Sequence, residues 1–513
     1  MTTIVLGIDG ANLELINRWK DSLPNFASLI EDNGITELES TTPPVTSPAW
    51  RCYATGKDPN SIGVYWWRQL VRDERTFVGA DEIPLDSKCY WEYLSERGDD
   101  VAIIGVPLNA PPRPVNGQLI AGGPFANPDD YTYPESLSEI IEEKFDYQLH
   151  PETYPSVENA TKDEIVADFD SMINQRFDVA EWLLETESPS LLNLTLFYIN
   201  VMQHKAWDAT EVRGLWETID ERLGNLLEDN MDIIIHSDHG LHEVKRVFYI
   251  NGWLMEKGYL VLAEEDNQGA SSIAVDEIKN ALGLLGVKSL VKRALPGRLI
   301  DAVTSGRRLI DPKEYESRID FERSKAVALP QGPVYDLSAD DSFVNVLKSE
   351  LESVVDPKTG NEVLSGVEFA DDVYDGDLRP DSPDLLVRWN DGFEVKDRHS
   401  DAEEKVFGSQ HGVIADNAQK GILLGAGPNL SNEHPDKLDA YLYDLAPTLL
   451  HLHGHPIPDD LSGDVLKSFY TTASEAAERS VEVMNVEEVN TQTEHKTAAQ
   501  DVDDRLRDLG YLE

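Results

Sequence analysis

The chain has 513 residues, long enough for two or three domains or for one large α/β core carrying an insertion. It holds 95 acidic against 44 basic residues, a formal net charge of −51, which argues against non-specific binding to nucleic acid or to an anionic membrane. Its two cysteines, Cys52 and Cys89, leave no material for a disulfide framework or a cysteine-rich zinc site.

The acidic excess is spread along the chain, as a high-salt cytoplasm would favour, so a halophilic source is expected. The amino terminus runs straight into a strand-like segment with no basic region before it. No apolar run approaches the ~20 residues that a membrane span needs. A cytoplasmic protein is therefore expected; the sequence leaves the oligomeric state open.

Short apolar runs alternate with helical patterns: Ile4 to Ile8, Val101 to Gly105, Leu191 to Ile199, Asp232 to Ile235, Asp384 to Val387 and Gly421 to Leu424. Runs apolar on both faces, separated by helices, predict a mostly parallel sheet covered on both sides. Ligands in such sheets bind beyond the carboxyl ends of the strands. Asp9 ends the first run, Asn200 and His204 follow the third, and Asp238 and His239 follow the fourth. Separate segments thus deliver carboxylates and imidazoles to one edge of one sheet.

After the first run comes Thr41-Thr-Pro-Pro-Val-Thr-Ser-Pro-Ala-Trp-Arg-Cys-Tyr-Ala-Thr-Gly56. Ser47 and Pro48 read as an N-cap and first helical residue, and Gly56 as a helix end. Thr46 is then expected at the mouth of a short helix, where free N–H groups and the positive dipole end favour a phosphate. A threonine hydroxyl becomes a good nucleophile only when a metal or a base takes its proton. Trp50, Trp66 and Trp67 read equally well as a stacking wall for a base or sugar and as core.

The acidic, helical stretch 130–190 reads as a second insertion. The segment 262–325 reads as an inserted helical cap. Between 288 and 325 it holds ten Lys and Arg, Arg307 and Arg308 among them, against six acids. Such a basic island is a candidate for recruiting an anionic substrate, with salt bridging to neighbouring acidic helices as the alternative. The core is accordingly expected over 1–261 and 326–471. A polar, acidic tail follows over 472–513 and closes with a short amphipathic helix that docks back.

His204 lies four residues after Asn200, one helical turn, so both can face one point. His411 stands in the polar loop Gly408-Ser-Gln-His-Gly412. A hard site of Asp and His ligands suits zinc, with manganese as second choice.

Taken together these segments resemble the type I phosphodiesterase/nucleotide pyrophosphatase family of the alkaline phosphatase superfamily. The likeness runs in order over roughly residues 3–470. It rests on Gly-Ile-Asp-Gly at 7–10, Pro-Pro-Val-Thr-Ser-Pro-Ala-Trp with Ala-Thr-Gly-Lys-Asp-Pro, and Val106-Pro107 with Gly117 and Gly122-Gly123. Ser237-Asp-His-Gly240, Pro383-Asp-Leu-Leu386, Gly-Ser-Gln-His-Gly at 408–412 and Asp444-Leu-Ala-Pro-Thr448 running on to Gly463 complete it.

The resemblance implies an alkaline phosphatase-like core and a hydrolase of small phosphate esters with two divalent metals. Asp9, Thr46, Asp238 and His239 would hold one metal; His204, His411 and residue 200 would hold the other. Thr46 would carry the phosphoryl group covalently. The family has an aspartate where this chain has Asn200, so the second site loses a negative charge. A non-catalytic phosphate-ester-binding relative is one alternative reading, and a sulfatase or phosphomutase relative another. A sulfatase needs Cys or Ser and Arg in a Cys/Ser-x-Pro-x-Arg pattern, and here Thr46 and Trp50 hold those places.

Overall fold

The computed structural model describes residues 1–153, 161–227, 230–263, 312–340, 342–398, 406–410, 414–431, 438–486 and 505–506. Its centre is an eight-stranded sheet. The strands are β1 (Thr3–Ile8), β2 (Thr36–Glu39), β3 (Val101–Pro107), β4 (Gly117–Gly122), β5 (Thr132–Tyr133), β6 (Leu191–Leu196), β7 (Asp232–His236) and β8 (Lys420–Ala426). Across the sheet they run β2-β8-β7-β1-β6-β3-β4-β5. The five inner strands from β7 to β4 are parallel; at one edge β8 runs antiparallel to both β7 and β2, so that β2 regains the common direction, and at the other β5 is antiparallel to β4.

Helices cover both faces, as the doubly apolar strands require. On β1, Ile4, Leu6 and Ile8 join one core with Phe169, Met172 and Ile173 of α2 (Lys162–Thr186) and with Leu215, Ile219 and Leu223 of α4 (Thr210–Leu226). Val5 points the other way, into a core with Trp50 and Tyr53 of α1 (Thr46–Thr55) and Leu445 and Leu449 of α5 (Leu445–Leu452). This alternation is the period-2 pleat of a strand buried on both sides. The mostly parallel α/β core expected from the sequence is therefore present.

Three local features differ from the sequence reading. The run at 421–424 lies in the central sheet, but its strand β8 is antiparallel to both neighbours. The run at 384–387 belongs to a separate four-stranded antiparallel sheet, ordered Ala326–Ala328, Pro333–Asp336, Leu385–Trp389, Leu364–Phe369. Apolar runs report burial, not strand direction or sheet membership, so neither result was readable from them. Helix α2, in the stretch expected to be inserted, is instead part of the layer covering the central sheet. A capping box starts it, with Thr161 Oγ1 accepting from Glu164 N.

Of the expected cap, residues 264–311, with Arg307 and Arg308, lie outside the described residues. Beyond them a helix, Pro312–Ser317, is tied to the core by Arg68 Nη2 donating to Glu316 Oε2 at 2.8 Å. In the tail, Val483–Met484 pairs with Ile457–Pro458. Leu506 is buried in the main core, and Arg505 donates to the Ala126 carbonyl at 2.9 Å and to His150 Nε2 at 2.6 Å.

Candidate functional site

The site forms where β1 and β7 end. Asp9 directly follows β1, and Gly10 turns the chain with φ +64, a conformation that glycine adopts without strain. Any Cβ on Gly10 would also sit 2.4 Å from Asn200 Oδ1. Ser237, Asp238 and His239 leave β7 in the same way. The Gly10 N–H donates to Asp238 Oδ1 at 3.1 Å, which stitches the two strand ends together.

The third contributor is α1. Its N-cap is Val45 in extended conformation, with no side-chain cap, and Thr46 is its first helical residue. The expected Ser47 cap is not formed; Pro48 falls within the first turn, where its missing N–H costs nothing. Gly56 ends the helix in the left-handed conformation, as expected. Thr46 Oγ1 lies 3.0 Å from His239 Nε2. His239 Nδ1 is 2.8 Å from the Gly240 carbonyl, so Nδ1 carries the proton and Nε2 presents its lone pair. The threonine hydroxyl therefore donates to His239.

Asp9, Thr46, Asp238 and His239 are all fully buried. His239 Nε2 is 3.3 Å from Asp238 Oδ2 and 3.6 Å from Asp9 Oδ1. Asp9, Asp238 and His239 offer ligand atoms that all lie within 4.8 Å of one another. Burial and the neighbouring Asp238 charge raise the Asp9 carboxyl well above its ordinary range. Burial pushes Asp238 up to about 7 and His239 down to about 4. Two carboxyl groups and an unprotonated imidazole, all buried and crowded together, form a cluster suited to a cation.

Asn200 and His204 lie on α3 (Ile199–Ala206), which follows β6, and both are buried. Asn200 touches the Asp9 turn, and its amide helps to hold the Asp9 pKa down. His204 Nδ1 is 2.7 Å from the Ala415 carbonyl, which fixes the tautomer with Nε2 as the lone-pair nitrogen. Burial lowers its pKa to about 3. His411 lies outside the described residues.

The tryptophan wall is not formed. Trp50 is fully buried, and its indole N–H donates to Asp9 Oδ2 at 2.8 Å. Trp66 and Trp67 are buried as well, Trp66 Nε1 donating to Gln331 Oε1 at 3.1 Å.

Two further groups were not singled out in the sequence. Gln203 Nε2 donates to the carbonyls of Asp9 and Gly10, both at 3.2 Å, and Trp216 Nε1 donates to Gln203 Oε1 at 3.0 Å. Only its place beside His204 hinted at this. Asp416 is buried between the second sheet and the site. Gln331, at the tip of the hairpin joining Ala326–Ala328 to Pro333–Asp336, donates to its Oδ1 at 2.7 Å. The next residue, Asn417, donates from Nδ2 to the Pro44 carbonyl at 2.8 Å and so steadies the approach to Thr46.

Burial pushes the Asp416 carboxyl up to about 6. A raised acid favours the folded state fully below its unfolded pKa near 3.8, and that contribution is lost as pH climbs through about 6. Asp416→Asn should therefore stabilise the protein at pH 8 relative to wild type by about 2 kcal/mol more than at pH 4. Urea melts at the two pH values test this; equal differences would refute it.

A family model for type I phosphodiesterase / nucleotide pyrophosphatase matches residues 3–413. No protein in a search of curated proteins matches the chain. Among solved structures the fold is similar to phosphonoacetate hydrolase from Sinorhizobium meliloti 1021. In its complex with phosphonoacetate, identity is 12% and the TM-score 0.53, covering 87% of this chain and 94% of that one. In its complex with phosphonoformate the values are 13% and 0.52 over the same shares. Human ectonucleotide pyrophosphatase / phosphodiesterase 5 aligns over 88% of this chain and 94% of its own, at 12% identity and a TM-score of 0.48. The match of the family model over most of the chain establishes the relationship: this protein belongs to the type I phosphodiesterase / nucleotide pyrophosphatase family of phosphoric ester hydrolases.

Proposed function

We propose that the chain hydrolyses a small phosphate ester in two displacements. In the first, Thr46 Oγ1 gives up its proton and attacks phosphorus, the bond to the leaving oxygen breaks, and a threonyl phosphoryl intermediate forms, which keeps the second ester group when the substrate is a diester. In the second, water attacks that phosphorus, releases phosphate from a monoester or the phosphate monoester from a diester, and restores the hydroxyl. The observation that carries this reading is Thr46 as the first residue of α1, 3.0 Å from His239 Nε2 and beside two buried carboxylates.

The residues fit a resident divalent cation. Among the described residues Asp9 Oδ1 and Asp238 Oδ2 are buried acceptors without a hydrogen bond of ordinary geometry, which is costly unless a cation faces them. Asp9, Thr46, Asp238 and His239 would hold one ion, and Asn200, His204 and His411 a second, zinc or otherwise manganese. When bound, such ions lower the pKa of a hydroxyl and offset charge on phosphate oxygens.

The chain's own groups do the rest. The Nδ1–H bond to Gly240 holds the His239 tautomer. Free N–H groups of the first turn of α1 face the place where nonbridging oxygens gain charge. Asn200 is neutral, so it supports weaker binding of the second ion. It is also the observation in favour of the second reading, a member that binds phosphate esters without turning them over.

The net charge of −51 supports a working medium of high salt, and we place the protein in the cytoplasm. Among the described residues no helix is long and apolar enough to cross a membrane. The test is hydrolysis of bis-p-nitrophenyl phosphate and p-nitrophenyl phosphate in molar KCl by metal-stripped protein. Diester turnover should return with zinc or manganese and vanish with chelator. Silence on both esters, persisting in Asn200→Asp, would leave only the binding reading.

A further inference from the structure

Trp50 follows Thr46 by four residues, one helical turn, so the helix that presents the hydroxyl presents the indole from the same face. The indole is fully enclosed. Its ring lies over β1, where a Cβ on Gly7 would meet Trp50 Cη2 at 2.7 Å. His236 and Tyr53 flank it, with ring centroids 5.5 and 5.6 Å away. Its one polar atom is spent on Asp9 Oδ2, at 2.8 Å. The other oxygen, Asp9 Oδ1, makes no hydrogen bond of ordinary geometry among the described residues and lies 3.6 Å from His239 Nε2.

A carboxylate on a free χ2 torsion presents either oxygen, or neither, to a neighbour. Here a clamped neutral donor takes one oxygen and leaves the other aimed at the cluster. The donor adds no charge, so it orients Asp9 without cancelling the attraction that a cation would feel. Gln203 fixes the same residue from behind, through the carbonyls of Asp9 and Gly10. We propose that Trp50 is the positioning residue that aims Asp9 Oδ1 at the site and thereby sets its affinity for a divalent cation. Because Thr46 and Trp50 share α1, the helix also holds the nucleophile and the ligand in register. The proposal rests on the reading that Asp9, Asp238 and His239 hold such an ion.

The alternative role for a buried tryptophan is core filling, and metal affinity separates the two. Zinc and manganese dissociation constants would be measured on metal-stripped full-length protein by competition with a chromophoric chelator. Wild type should bind and Asp238→Ala should not. Trp50→Phe keeps an aromatic ring and deletes the donor. It should bind about 10–100-fold more weakly, the usual loss when an outer-sphere partner of a metal ligand is removed, with unchanged far-ultraviolet circular dichroism.

Wild-type affinity in folded Trp50→Phe overturns the proposal. Should that variant fail to fold, 3-benzothienylalanine at position 50 replaces the N–H by sulfur at nearly constant shape, and the same two outcomes decide. Absence of metal binding by wild type would instead defeat the underlying reading, and the proposal with it.

Discussion

Thr46→Ala should abolish diester turnover, lowering kcat by about 10³-fold or more, with the protein still folded and still able to bind divalent metal. The neighbouring hydroxyls cannot take over. Ser47 Oγ is directed at the Trp66 carbonyl, Ser40 Oγ donates to the Asp238 carbonyl at 2.6 Å, and Thr41 Oγ1 donates to the Pro43 carbonyl at 2.7 Å. Of these groups only Thr46 Oγ1 bonds to a side chain of the cluster. Alanine also deletes the buried Cγ2 methyl of Thr46, a loss of about 1 kcal/mol in stability that leaves the fold in place, so a 10³-fold loss of turnover reports chemistry. Acid-quenched wild type turning over bis-p-nitrophenyl phosphate should carry a p-nitrophenyl phosphoryl group on the peptide containing Thr46, and the variant should carry none. Turnover by Thr46→Ala within tenfold of wild type would eliminate the covalent route.

Asp238→Asn should act in opposite directions on activity and on metal-free stability. Asp238 Oδ1 is occupied by the Gly10 N–H, while Oδ2 stands 3.3 Å from His239 Nε2. An amide keeps the shape but removes a negative charge from the proposed cation site, so turnover should fall by about 10²-fold or more. In the metal-free protein the same charge is a burden, because Asp9 and Asp238 are buried together. Asp238 is raised to about 7, so its contribution to stability is full below about 3.8 and lost as pH rises through about 7. At pH 8 with chelator, Asp238→Asn should therefore melt higher than wild type, by on the order of 2–4 kcal/mol. At pH 4 the difference should shrink. Excess metal should reverse the order by stabilising wild type alone. A variant less stable than wild type under every condition would point to a lost structural bond instead.

The sequence revealed the strands that end in chemistry, and for a physical reason. Strands β1 and β7 are short, apolar on both faces and followed at once by Asp9 and by Asp238-His239, so burial stops where polarity begins. The helix carrying Thr46 was legible from Pro48 and Gly56, although the cap itself is Val45. The second sheet was not legible, since its strands have three to six residues and the same apolar character as the central ones.

Trp50 shows a different limit. The sequence offered it only as a stacking wall or as core, because its partner, Asp9, is 41 residues away and belongs to another element. A side chain that serves a ligand and one that serves a substrate look the same in a sequence. The polar contact of Gln331 with Asp416, 85 residues apart, was hidden for the same reason.

Strand β8 carries a consequence for synthesis. It lies between β2, made near the start of the chain, and β7, so residues 36–39 have no partner in the sheet until residues 420–426 exist. Until then β7 keeps an open edge while Asp238 and His239 hang from its end. Ser237 Oγ also awaits β8, because it accepts from the Ile422 N–H at 2.9 Å. A nascent chain thus exposes Asp238 and His239 beside an unpaired apolar strand edge from the synthesis of residue 239 until that of residues 420–426. Acidic residues on the growing surface, mutually repelling, are then a safeguard against aggregation during that interval.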